Sequence, residues 1–380
     1  MTENENKQYP FIFSSIEIGK YRCKNRIVFP GMHTNYANTD GTVSDKLLDF
    51  YTGIADGGCG LIITGAAVVS FDSVAFDRVL RIDSDGCIPG LRKLFSEISK
   101  RGALPGVQLI HYGRQALNSV TGFDLIAPSA IACPVMSTLD KNYRVREMTL
   151  DDIVRVRNDF IQAAVRAHEA GAKVVEVHAA HGYLLNGFLS PYSNHRTDEY
   201  GGKLKARARL IVEIIEGIRD RLGDDVVISV RVSGNEFVQG GLVPQDYMDI
   251  IPRFEAVGMD LLNVSACVAE TMAKAIPLEF TGKTPLVGIA SELKMFASVP
   301  VCTVGSILSL ETANTIVSSG KADLVVMGRA QVADPAIVAK SARGRENEIK
   351  KCIQCNRCAF WANGDPYMCC IINPALNGKD

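Results

Sequence analysis

Five cysteines crowd together near the C-terminus, in KKCIQCNRCAFWANGDPYMCCIINP. Cys352, Cys355 and Cys358 form a CxxCxxC turn, and Cys370 follows, with Cys369 as an adjacent alternative. Three thiolates from one tight turn and a remote fourth suit a [4Fe-4S] cluster. The same four ligands would also satisfy a tetrahedral zinc site. The other six cysteines, Cys23, Cys59, Cys87, Cys133, Cys267 and Cys302, are scattered singly, so the clustering points to metal rather than to disulfides. Phe360, Trp361 and Tyr367 lie where they could shield a cluster or pack the tail.

A second group of reactive types sits in VEVHAAHGYLLNGFLSPYSNHRTDEYGG. His178 and His181 stand three apart and Tyr183 follows two residues later, just past an apolar run. In a tight turn or first helical turn this spacing puts both imidazoles on one face, as donors to an anionic or carbonyl oxygen. Tyr183 is then a candidate proton donor. Zinc is the rival reading, but no third ligand stands nearby at suitable spacing. His33, Gln108, His111 and Arg231 also fall on or just after apolar runs, whereas His168 and His195 read as surface residues.

Such residues need a frame to bring them together. Eight short β-branched runs follow in order: Arg26 to Phe29, Gly60 to Thr64, Pro105 to Ile110, Lys173 to Val177, Val226 to Val232, Asp260 to Val264, Val299 to Val304 and Ala322 to Met327. Segments of helical periodicity, such as SDKLLDFYTGIADGG and LKARARLIVEIIEGIRDRLG, alternate with them, and several end at Gly. The pattern predicts an α/β fold, a (β/α)8 TIM barrel with a C-terminal cysteine-rich extension. The expected domains are a barrel over 1–345 and an iron-sulfur tail over 346–380 packed on it. His111 to Met148, rich in proline and poor in periodicity, is expected to be an extended loop that builds or covers a site. After the last two strands, VGS and MGRA place Gly305, Gly328 and Arg329 where a barrel binds phosphate. Gln108 and Arg231 would suit the N1/O2 edge of a flavin.

Composition narrows the partners. The chain of 380 residues carries a net charge of -1, with no electrostatic footprint for nucleic acid or anionic membrane. The polar, acidic N-terminus MTENENKQYPFIF has no signal-peptide pattern, and no apolar run approaches a membrane span, so a cytoplasmic protein with a small-molecule partner is expected.

The ordered motifs KNRIVFPGMHTN, GLIITGA, GVQLIHYGRQA, HAAHGYLLNGFLSPYSNHRTDEYGG, VRVS, TVGS, VMGRA and CIQCNRC cover nearly the whole chain. Together they resemble the Old Yellow Enzyme family of NADH:flavin oxidoreductases, in particular the barrel domains of 2,4-dienoyl-CoA reductase and trimethylamine dehydrogenase. The resemblance implies FMN held by Pro30, Gly31, Met32, Ala66, Gln108, Arg231, Gly305, Gly328 and Arg329, with His33 near the flavin edge. It implies hydride transfer to an activated alkene, an enone, enoate or enoyl thioester, with His178 and His181 at the activating carbonyl and Tyr183 as proton donor. Electrons would come from NAD(P)H or a redox protein through the cysteine tail, and a homo-oligomer is expected. An amine or demethylating dehydrogenase of the trimethylamine dehydrogenase type is the alternative, and a flavin-binding subunit of a larger redox complex is a third. Three departures stand out: Ala269 occupies the position where dienoyl-CoA reductases place a second acid, those enzymes lack the His178 and His181 pair in its full form, so the substrate need not be a dienoyl thioester, and longer relatives continue into a nucleotide-binding module where this sequence stops at Asp380.

Overall fold

The computed structural model describes residues 8–276, 278 and 284–377, and the side chains of Trp361 and Ala362 lie outside the described residues. Eight parallel strands form the frame: β1 (Ile27–Phe29), β2 (Leu61–Val68), β3 (Leu104–Ile110), β4 (Val174–Ala179), β5 (Val227–Ser233), β6 (Leu261–Ser265), β7 (Val301–Thr303) and β8 (Leu324–Val326). Each pairs with its neighbour in sequence, and β1 pairs with both β8 and β2, which closes the barrel. All eight expected strands are present.

Residues two apart on a strand share a face, so the barrel interior is built in layers. Its lower layers are apolar: Val28, Leu61, Ile63, Val174, Val227, Leu261 and Leu324 pack together with Ile18 and Cys23. Those last two come from an antiparallel hairpin, Ile16–Ile18 with Tyr21–Cys23, which plugs the N-terminal end. Moving up, the interior turns polar. Register sets Gln108 of β3 opposite Glu176 of β4, Glu176 opposite Ser229 of β5, and Arg231 between His178 and Asn263. A one-residue slip would send all of these outward.

Helices cover the outside with one apolar face each. The longest, α1 (Leu150–Glu169), starts with a Thr149–Asp152 capping box and buries Ile153, Val156, Phe160, Ala164 and Ala167. Its neighbour α2 (Arg209–Leu222) buries Leu210, Ile211, Ile214, Ile215 and Ile218. Among the described residues no helix is long and apolar enough to cross a membrane.

Two expectations are refined. Strand β2 continues past Thr64 to Val68, with an irregular register between Thr64 and Ala67 that carries it over Gly65. The loop from His111 to Met148 holds structure of its own: helices Asn118–Thr121 and Met136–Leu139, and a parallel pair of strands, Leu125–Ala127 with Val145–Glu147. These pieces are too short to leave a periodic signal.

Phe160 of α1 is fully buried in the hydrophobic core. Phe160→Ala is expected to cost about 3–5 kcal/mol by opening a cavity there. Urea unfolding followed by far-UV dichroism checks this, and a cost below about 1 kcal/mol would contradict the packing.

Candidate active site at the mouth of the barrel

The polar layer is organised by one carboxylate. Glu176 is fully buried and accepts hydrogen bonds from Gln108 Nε2 (2.7 Å), Asn263 Nδ2 (2.7 Å) and Ser229 Oγ (3.0 Å). Above it the Arg231 guanidinium is buried, and its Nε has no hydrogen-bond partner among the described residues. Burial opposes its charge, and the Glu176 carboxylate supports it. Gly31 crosses Gln108 so closely that a Cβ there would stand 2.9 Å from its side chain. The β1 loop therefore lies directly against the Gln108 amide.

A cavity of about 140 Å³ opens beside Arg231 and runs to the ends of β7 and β8. Pro30, Gly31, Met32, Gly305, Ser306, Gly328 and Arg329 line it. Gly305 has φ +114°, which only glycine adopts freely, and Leu286 stands 3.0 Å from where its Cβ would be. An unpartnered buried guanidinium nitrogen at one end and a glycine cradle with Arg329 at the other fit a planar ring bearing a phosphate tail. Ala66 lies to the side, lining a small recess with Met32, His33 and Gly65.

A second cavity, of about 430 Å³, shares His33 with that recess and is lined by Tyr112, Gln115, Tyr183, Ala269 and Phe360, among others. Tyr183 stands in a cluster of rings, 5.1 Å from His178 and 6.3 Å from both His181 and His33 between centroids. His178 and His181 meet edge-on at 5.0 Å. What brings His181 back to the axis is a left-handed turn, φ +63°, fastened by its N–H to Ser233 Oγ at 2.9 Å. The two imidazoles are not equivalent. His181 Nε2 lies 2.7 Å from Ser265 Oγ, while His178 Nδ1 has no partner among the described residues. Burial, reinforced by Arg231, pushes the His33 imidazole down to about 4. His178 and His181 are pushed well below their ordinary value, by burial first and by Arg231 among the neighbouring groups. Burial raises the Tyr183 phenol. At neutral pH the cluster is a set of uncharged hydrogen-bonding rings.

His111 does not join them. Its Nδ1 accepts the Gly113 N–H at 3.1 Å and its Nε2 faces Asp72 at 3.7 Å, on the far side of the β3 loop. Its neighbour Tyr112, which sequence reasoning passed over, takes the place instead: Tyr112 Oη lies 2.9 Å from His33 Nδ1 and the rings stack at 5.3 Å. Adjacent residues at a strand end point opposite ways, so strand parity was the available signal. Glu176 was also missed, although an acidic residue within VVEVHA is itself unusual for a buried strand.

The cysteine tail lies against the same mouth. Arg329 donates to Ser306 Oγ and to Asn356 Oδ1, each at 2.6 Å, and Asn356 belongs to the CxxCxxC turn. The thiols of Cys352 and Cys358 lie within electrostatic reach of Cys355 and Cys370, whereas Cys369 faces Asp365, Arg357 and Lys46 as well as Cys370. Among the described residues no three His, Cys, Asp or Glu side chains are gathered to hold a single metal ion.

The three depressed imidazoles give the apoprotein a predictable acid sensitivity. Unfolding returns each to its ordinary value near 6.5, so the unfolded chain binds more protons below about pH 6.5, for His33 down to about pH 4 and for His178 and His181 through a window that opens at the same point. Stability is therefore complete above that window and falls as pH drops through it, by up to about 1.4 kcal/mol per pH unit for each histidine. Urea midpoints from pH 7 to 4.5 check this. His33→Gln is expected to flatten the slope, and an unchanged slope would show that His33 titrates alike in the folded and unfolded chain.

The sequence profile of the NADH:flavin oxidoreductase / NADH oxidase family matches residues 11–348. The NADH oxidase of Thermoanaerobacter brockii is 39% identical over 352 residues, 92% of this chain and 53% of that protein. Among solved structures, a 2-naphthoyl-CoA reductase in complex with 2-naphthoyl-CoA superposes with a TM-score of 0.91 at 28% identity, over 97% of this chain and 58% of that one. The histamine dehydrogenase of Rhizobium sp. 4-9 superposes with a TM-score of 0.87, also at 28% identity, over 97% of this chain and 53% of that one. The chain thus spans about half the length of these relatives. Since the family profile covers the whole barrel and the cradle for a phosphate-bearing ring lies at its mouth, the chain belongs to the NADH:flavin oxidoreductase / NADH oxidase family, the FMN-dependent Old Yellow Enzyme group.

Proposed function

We propose that this chain is the catalytic barrel of an FMN-dependent reductase of activated carbon–carbon double bonds, acting on an α,β-unsaturated carbonyl compound. The observation that carries this reading is the Tyr183 phenol on the wall of the 430 Å³ cavity, set among three neutral imidazoles. Gln108 and Arg231 would hold the edge of the flavin ring, Pro30, Gly31, Met32, His33 and Ala66 would flank it, and Gly305, Gly328 and Arg329 would hold its phosphate. Bound there, FMN supplies a hydride donor.

The protein's own part is to polarise and to protonate. His178 and His181, kept neutral by burial, offer N–H groups to the carbonyl oxygen as enolate charge grows on it. A Ser265 hydroxyl that donates to His181 Nε2 keeps the His181 proton on Nδ1. Tyr183, whose phenol burial keeps protonated, delivers its proton to the α-carbon. His33 and Tyr112 hold the other side of Tyr183, with His33 Nε2 3.5 Å from its hydroxyl. Phe76, Leu117, Val120, Met136, Leu139 and Met272 give the cavity an apolar lining and exclude water from the enolate.

In the same reading the tail, residues 346–380 on a barrel of 1–345, carries a [4Fe-4S] cluster on Cys352, Cys355, Cys358 and Cys370. Such a cluster supplies one-electron relay from an external donor, NAD(P)H through a partner or a redox protein. Iron and zinc analysis of anaerobically purified protein decides the metal. About four irons per chain support the cluster, and one zinc would replace it.

Two half-reactions test the chemistry. Tyr183→Phe is expected to slow oxidation of the prereduced enzyme by 2-cyclohexenone about 100-fold while leaving its reduction by dithionite unchanged. Equal slowing of both would make Tyr183 a positioning residue. The likeness to a histamine dehydrogenase supports a second reading, amine oxidation. Fast reduction by an amine, with no oxidation by enones, would establish that reading and sink the first.

A further inference from the structure

One side chain of the cysteine turn reaches two residues on the wall of the 140 Å³ cavity. Asn356 stands between Cys355 and Cys358 in a left-handed backbone conformation, φ +56°. Its backbone carbonyl accepts from Asn363 Nδ2 at 3.1 Å, and the same nitrogen holds the Ala359 carbonyl at 3.0 Å, so the turn sets where Asn356 points. Its amide reaches out of the turn in two directions. Oδ1 accepts from Arg329 Nη1 at 2.6 Å, and Nδ2 donates to the Ile276 carbonyl at 2.8 Å. Arg329 has only donors and a carbonyl only accepts, so this orientation of the amide is the one that satisfies both.

Ile276, Ser306 and Arg329 all line the 140 Å³ cavity. The Arg329 guanidinium is shared, one nitrogen to Ser306 Oγ and another to Asn356, which fixes the plane of its fork toward the glycine cradle. We propose that Asn356 is a positioning residue for the flavin phosphate: it sets the Arg329 fork and the Ile276 wall at the spacing a phosphate monoester needs. Order in the cysteine turn is thereby coupled to phosphate affinity. The coupling runs both ways, so whatever orders the turn tightens the phosphate site and an occupied phosphate site orders the turn. This inference rests on the reading of the cavity as the FMN site.

The test is a double-mutant cycle on binding by the flavin-free full chain, read by quenching of free flavin fluorescence. Asn356→Ala is expected to raise the Kd for FMN roughly tenfold, the order of one charge-assisted hydrogen bond. It should leave the Kd for riboflavin, which lacks the phosphate, unchanged. In an Arg329→Lys background, where a single ammonium cannot span both partners, Asn356→Ala should change the FMN Kd less than about twofold. Equal weakening of FMN and riboflavin, or the same penalty with and without Arg329, would overturn the proposal, as would an unchanged FMN Kd in Asn356→Ala. A folded wild-type chain that binds neither flavin would instead overturn the FMN reading itself, and the inference with it.

Discussion

A carboxylate on the axis of a closed barrel is costly to bury, and the structure is arranged around satisfying it. Glu176 takes three hydrogen bonds from three different strands, from Gln108, Ser229 and Asn263. Leaving such a charge unpaired would cost several kcal/mol. Meeting its demand ties β3, β4, β5 and β6 in one register at the height where the interior changes from apolar to polar. It also explains how Arg231 remains charged without solvent, since the carboxylate below balances it.

From that pair the electrostatics of the mouth follow. Arg231 makes the space above it positive, and together with burial this keeps His33, His178 and His181 neutral. Neutral imidazoles around a protonated phenol can donate to developing negative charge without first giving up protons of their own, and in a low-dielectric cavity each donated bond is strengthened. The same positive potential suits a ring that becomes anionic when reduced. One buried charge pair thus sets the potential over both cavities at the mouth.

Substrate choice lies elsewhere. The likenesses to a naphthoyl-CoA reductase and to a histamine dehydrogenase extend over almost all of this chain, so the frame accommodates more than one chemistry. The larger cavity is walled by the excursion after β3, through Leu117, Val120, Met136 and Leu139, by the segment after β6, through Ala269 and Met272, and by Phe360 of the tail. Ala269 does line this cavity, and its methyl offers no proton there. The phenols of Tyr112 and Tyr183 stand on the same wall.

Much of this was legible in the amino-acid sequence. Eight β-branched runs alternating with amphipathic segments specify a barrel, because local periodicity and the need to cover both faces of a parallel sheet leave few alternatives. Strand ends then locate His33, Gln108, His178, His181 and Arg231 without coordinates, and the glycines after β7 and β8 locate the cradle. What only the tertiary structure decided was which way each side chain turns and what it meets across the barrel. His111 and Tyr112 are adjacent, yet one faces Asp72 and the other His33. The inequivalence of His178 and His181 depends on Ser265, and the clasp of Arg329 on Asn356 joins the barrel to the tail. Hydrogen bonds between residues far apart in the chain leave no periodic trace, because the chain records each partner's type and only closure of the barrel sets the distance between them.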